Sequence, residues 1–72
     1  MAILEKGNQQ MIDLETLIDR VGMKNVLYAL AVIANEKAEH IATNWQDSFL
    51  SRTWERNAAK IEKCARQLTG TD

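Results

Sequence analysis

The spacing of apolar residues along the chain predicts helices and no strands. From residue 14 to residue 21 apolar side chains recur every three or four positions, as on one face of a helix. Asp13 is placed to cap the start of this helix, and Gly22 is placed to end it. We therefore predict a short first helix at about 13–21. Residues 1–11 are mostly polar, and we expect them to form a flexible or loosely docked N-terminal arm beside a single helical domain at 12–70.

Two longer amphipathic segments follow, at about 23–43 and 48–68, separated by the polar break Asn44–Asp47. Asp47 or Ser48 would cap the second of them. A short loop between two long helices favours an antiparallel hairpin, so the predicted fold class is all-α. The expected core stripe of the first segment is Leu27, Ala31, Ala34, Ala38, Ile41 and Trp45. That of the second segment is Leu50, Trp54, Asn57 or Ala58, Ile61, Cys64 or Ala65, and Leu68.

The segment Val26–Ala34 is apolar on every face, and one neighbouring helix cannot cover it. Each aliphatic side chain left in water forfeits roughly 1.5–3 kcal/mol of burial, a large share of the stability of so small a domain. We therefore expect self-association into a homodimeric bundle of about six helices, with a partner protein as another possible occupant. A monomer with its N-terminal arm folded over the patch is the alternative. The predicted self-association residues are Val26, Tyr28, Leu30 and Ile33.

Composition narrows the functional classes. The chain has 72 residues, a formal net charge of −1 and a single cysteine, Cys64. An internal disulfide is therefore excluded, a reducing compartment is favoured, and Cys64 is expected to be a small buried hydrophobe. No segment has the roughly 18 apolar residues of a membrane span, and the first residues lack the pattern of a secretion signal. We expect a cytoplasmic protein without a cofactor, and no catalytic nucleophile has a base at helical spacing.

The sequence Asn35–His40 contains the most plausible chemical cluster. Glu36 and His40 lie one helical turn apart, which suits a shared metal ion, and Glu39 lies close to both. However, these residues supply only two or three ligands, no second carboxylate motif is present, and Lys37 would repel a cation. A solvated polar face is the simpler interpretation, and a metal-binding helical protein remains an alternative function.

A run of basic residues on the last helix forms one ridge, because its members recur at steps of four, four and three. These residues are Arg52, Arg56, Lys60 and Lys63. Like charges at this spacing repel by a few tenths of a kcal/mol per pair, so an anionic partner could compensate. Against this interpretation, Glu55 and Glu62 interleave with the ridge, and no aromatic platform is evident. A nucleic-acid-associated regulator is thus an alternative function, and a solvated helix face is the simpler explanation.

The two tryptophans are predicted to play different roles. Trp54 falls on the apolar stripe of the last helix and is assigned to the core. Trp45 lies in the break between the long helices, where it either plugs the end of the hairpin, which we favour, or stands exposed as an anchor for a partner. Trp45 and the basic ridge are therefore the candidate partner-binding residues.

The segments Lys37–Ile41 and Asn44–Asp47, followed by Trp54, resemble small uncharacterised helical proteins of bacterial and phage-like genomes. The resemblance covers about residues 13–58 and implies no catalytic activity. Small proteins of this kind include phage-encoded inhibitors of host defence, such as anti-CRISPR proteins, which act by binding and blocking. Our first hypothesis is therefore a non-enzymatic protein–protein interaction module, with a phage-type inhibitor or adaptor as a special case.

Overall fold

Three α-helices and one π-helical segment make up the part of the chain that the structure describes. The computed structural model describes residues 7–69, and no strand occurs among them. The elements are α1 (Gln9–Val21), α2 (Met23–His40), the π segment (Ile41–Trp45) and α3 (Ser48–Gln67). The predicted all-α fold with its helical hairpin is confirmed. Within residues 7–69, no helix combines the length and the apolar character that crossing a bilayer requires.

The first helix begins earlier than the apolar pattern predicts. Its N-cap is Asn8, whose side-chain oxygen accepts a hydrogen bond from the Met11 N–H at 2.8 Å. Asp13, the predicted cap, lies inside the helix and accepts a hydrogen bond from the Gln9 amide instead. The helix therefore includes residues 9–11, which we had assigned to the arm, and residues 1–6 of that arm lie outside the described residues. Gly22 ends α1 as predicted, with φ at +90°, where an L side chain is strained.

The hairpin of α2 and α3 packs along a seam of small side chains. Apart from Val26 and Ile41, every buried residue of the described chain is alanine, serine or glycine. These small residues recur at steps of three and four on α2 and at steps of seven on α3, and both spacings keep them on one face, so they form one strip on each helix. The seam comprises Ala31, Ala34 and Ala38 of α2 and Ser51, Ala58 and Ala65 of α3. Side chains of this size let two helix backbones approach closely.

A hydrogen bond between the two helices reports how close this approach is. The Ser51 hydroxyl donates to the main-chain carbonyl of Ala38 at 2.8 Å, and both residues are buried. A serine side chain is short, so its oxygen reaches the other helix only where the backbones nearly touch. The bond also satisfies the one polar side chain buried in the described chain, which would otherwise destabilise the fold.

The large apolar residues of α3 lie beside the seam and not inside it. Leu50, Trp54, Ile61 and Leu68, predicted as core, are only half-buried. They are shifted to one flank of α3 because the smaller residues Ser51, Ala58 and Ala65 face α2. The same packing decides between the alternative core residues of the predicted stripe. Ala58 and Ala65 are buried, whereas Asn57 and Cys64 are exposed. The prediction that Cys64 is buried is wrong.

Helix α1 is attached to the hairpin on one side only. It packs against α2, but no Cα atom of α1 lies within 8 Å of one in α3. None of the residues of α1 is buried, although Leu14, Leu17 and Val21 share one apolar face. A closed three-helix bundle would bring α1 against both other helices. The three helices therefore leave one side of the hairpin open.

Candidate interaction site

The end of the hairpin is reshaped by the π segment. In a π-helix the hydrogen bonds join residues five apart, so each residue turns through a smaller angle than in an α-helix. The side chains after Ile41 therefore do not point where a continuous α-helix would place them. Trp45 is turned away from the predicted core stripe as a result. Trp45 is 65% exposed. The interpretation of Trp45 as a plug is wrong, and the alternative of an exposed side chain agrees with the structure.

A small polar and aromatic cluster stabilises this turn. The Asn44 amide nitrogen lies 3.1 Å from the His40 carbonyl and 3.0 Å from His40 Nδ1. With the amide donating to Nδ1, the proton of a neutral His40 ring is on Nε2. The Trp45 ring packs edge-on to the His40 ring, with ring centroids 6.2 Å apart. Gln46 then reverses the chain in the left-handed region (φ +54°), and the Asp47 carboxylate caps α3 by accepting from the Leu50 N–H at 2.9 Å, as predicted.

An open groove of about 830 Å³ lies between α2 and α3 beside this turn. Its apolar lining is Ile33, Ile41, Trp45, Leu50 and Trp54. Glu36, Lys37 and His40 supply its polar lining. Apolar walls with a charged edge are typical of a surface that binds another polypeptide. Sequence reasoning assigned Trp45 and Ile33 to binding and Trp54 to the core, and the structure brings all three together.

The groove continues along α2 as an exposed apolar surface. Val26, Leu30 and Ile33 share one face of the helix at spacings of four and three. Val26 is buried at the start of α2, so it is not part of the accessible patch that we predicted. Leu30 is 44% exposed and Ile33 is 48% exposed. We call the surface formed by Leu30, Ile33 and the half-buried side chains of Trp54 and Ile61 the open side.

The fourth predicted self-association residue is on a different face. Tyr28 is half-buried and lies one turn from Val32, which is 58% exposed. Tyr28 and Leu30 are two positions apart, so their side chains point to nearly opposite flanks of α2. The structure therefore divides the predicted patch, with Leu30 and Ile33 on the open side and Tyr28 away from it.

The predicted metal cluster is only partly assembled. Glu36 and His40 both line the groove, whereas Glu39 is exposed and does not line it. Among residues 7–69, no group of three histidine, cysteine, aspartate or glutamate side chains is placed to hold a metal ion. Two ligands from one helix leave most of a coordination sphere to other molecules.

The basic ridge of α3 faces away from the seam. Its four members, Arg52, Arg56, Lys60 and Lys63, are all exposed, and none pairs with a carboxylate of residues 7–69. Glu55 and Glu62 share a neighbouring strip at one edge of the ridge, where Glu62 binds Arg66 at 2.9 Å. At helical spacing, the acidic residues therefore lie along one edge of the ridge.

Phe49 is a surface residue that the sequence reasoning missed. It is 77% exposed, more than any other large hydrophobic residue of the described chain. It lies three and seven positions before Arg52 and Arg56, and therefore on the same face of α3. This spacing could have been read from the sequence, but a phenylalanine in the first turn of an amphipathic helix is usually assigned to the core.

Comparison with known proteins adds no relative: no family model, no curated protein and no solved structure matches the chain. The resemblance to small helical phage-like proteins therefore gains no support beyond the residues that carry it.

Proposed function

We propose that the protein is a cytoplasmic, non-enzymatic protein–protein interaction module that assembles as a homodimer through its open side. One observation carries the proposal: α1 packs on α2 alone and leaves Leu30 and Ile33 about half exposed in the middle of the hairpin. Small helical domains need well-packed apolar surface because they have little core to spare.

A second copy of the chain suits this surface for a reason found in α1. Leu14, Leu17 and Val21 form an apolar face, with Leu17 and Val21 exposed although the helix lies against α2. We propose that a second copy seated on the open side also covers the apolar flank of α1. In such an arrangement each protomer contributes and receives the same contacts. Both incomplete surfaces would be covered at once.

The energetics agree with association of this kind. Burying the exposed half of an aliphatic side chain contributes about 1 kcal/mol. In a two-fold interface each protomer buries its own Leu30 and Ile33, so their burial free energy is gained twice. The exposed parts of Trp54 and Ile61 add to it. Stable interfaces cover at least about 600 Å² on each partner, and four side chains that are each more than half-buried expose less than that. We therefore expect α1 to be part of the interface.

Light scattering of the purified chain tests the proposal, with an expected mass of twice the 8.2 kDa of one chain. The double variant Leu30→Glu, Ile33→Glu should run as a monomer, because two carboxylates would be buried without partners. Its helix content, measured by circular dichroism, should be retained, because both side chains are exposed in the single chain.

The matched control is Val32→Glu, Asn35→Glu. It adds the same charge at the same three-residue spacing, but on the other flank of α2, where Val32 and Asn35 are exposed. This variant should remain dimeric. A wild-type chain that stays monomeric at high concentration, or a control that dissociates as readily as the open-side variant, would contradict the proposal. An inhibitor or adaptor of the type that the resemblance implies would use the aromatic end of the groove, at Trp45.

A further inference from the structure

Beyond self-association, we infer that the outer face of α3 binds single-stranded nucleic acid. The face consists of the four cations of the basic ridge together with Phe49. It lies opposite the seam, so it is separate from the open side.

The charges on this face are arranged for a polyanion. From Arg52 to Lys63 the ridge is about 16 Å long, at 1.5 Å per residue. A stacked strand with one phosphate per 3.4 Å spans roughly five nucleotides over that length. None of the four cations is neutralised by an ion pair within residues 7–69. The repulsion between them would be relieved by phosphates lying along the helix.

The exposed aromatic ring favours single strands over an acidic polypeptide or a duplex. Phe49 continues the ridge at its N-terminal end and offers most of its ring to solvent. An unstacked base can lie on such a ring, and stacking of this kind tolerates any base. Bases inside a duplex are not available for it. The expected binding is therefore independent of sequence and strongly dependent on salt.

Fluorescence anisotropy with a labelled thymidine oligonucleotide of about a dozen nucleotides tests this inference. With four phosphate contacts, the plot of log K against log salt should have a slope of about −2.8. Neutralising one cation, as in Lys63→Gln, should make the slope less steep by about 0.7. Arg52→Glu with Arg56→Glu should abolish binding, and Phe49→Ala should weaken it roughly tenfold without changing the slope.

The control Arg20→Glu, Lys24→Glu changes the net charge by the same amount away from the ridge, and it should retain most of the affinity. Three results would overturn the inference: no binding at low salt, an equal loss in the control variant, or equal affinity for a duplex of the same length. Competition by a glutamate peptide of equal charge, at equal concentration, would also overturn it and assign the ridge to an acidic protein. Because the oligomeric state is measured separately, failure of this inference does not affect the proposed dimer.

Discussion

The seam between α2 and α3 and the open side next to it use side chains of very different size. The seam is made of alanines and one serine, and its members at Ala38 and Ala58 are 1% exposed. The open side carries leucine, isoleucine and tryptophan, and all of its members are at least partly in water. In most small domains the largest apolar residues form the core. Here the small residues join the two helices, and the large residues stay partly exposed beside them.

This division explains how one short chain can fold while it keeps large apolar side chains at its surface. Close approach of α2 and α3 gives many backbone and methyl contacts from little side-chain volume, and it positions Ser51 to bond to Ala38 across the seam. It also displaces the larger residues to the flank. Helix α1 has no buried residue, so in the proposed dimer it is the element that would gain most from the partner.

The largest effect is expected from enlarging a seam residue. Ala58→Leu inserts three carbon atoms where the helices touch, and overpacking of this kind costs about 1–3 kcal/mol. Urea denaturation measures the free energy of unfolding of each variant. The neighbouring variant Ala59→Leu places the same side chain on the exposed surface and should change stability by less than about 0.5 kcal/mol. Equal effects at the two positions would mean that the seam is not tightly packed.

A smaller effect is expected when the same kind of cap is removed from the hairpin and from α1. Asp47→Ala and Asn8→Ala each remove a side chain that caps a helix, and a lost cap typically costs about 1 kcal/mol. The cap at Asp47 belongs to the hairpin and should lower the global free energy of unfolding by that amount. The cap at Asn8 belongs to α1. Its loss should lower helix content, and it should lower the global free energy of unfolding by less than the loss of the Asp47 cap does. If Asn8→Ala lowered the unfolding free energy as much as Asp47→Ala, α1 would be an equal part of the cooperative core.

The fold was largely predictable because its boundaries depend on local chemistry. Gly22 ends one helix and Asp47 caps another, and each acts through its own backbone or side chain within a few residues. The start of α1 was missed because Asn8 precedes two glutamines, which are compatible with a helix but add nothing to an apolar pattern. The N-cap of α1 therefore lies five residues before the predicted one, at Asn8 and not at Asp13.

The candidate site was less predictable because it depends on packing. Periodicity identifies an apolar face about 100° wide but not which part of it meets the neighbouring helix. Ala58 and Ala65 occupy the centre only because the helices approach closely, and Trp54 is displaced to the flank as a result. Trp45 was misplaced for another reason: the π segment changes the angular step, and no regular pattern in the sequence marks that change.

The most direct measurement of the central claim is hydrogen exchange of the α1 amides at low and at high protein concentration. If a second copy completes the open side, exchange in α1 should slow markedly as concentration rises. The Leu30→Glu, Ile33→Glu variant should show fast exchange in α1 at every concentration. Exchange in α1 that is equally slow in dilute and concentrated wild-type protein would mean that one chain stabilises α1 alone, and the account given for the open side would be wrong.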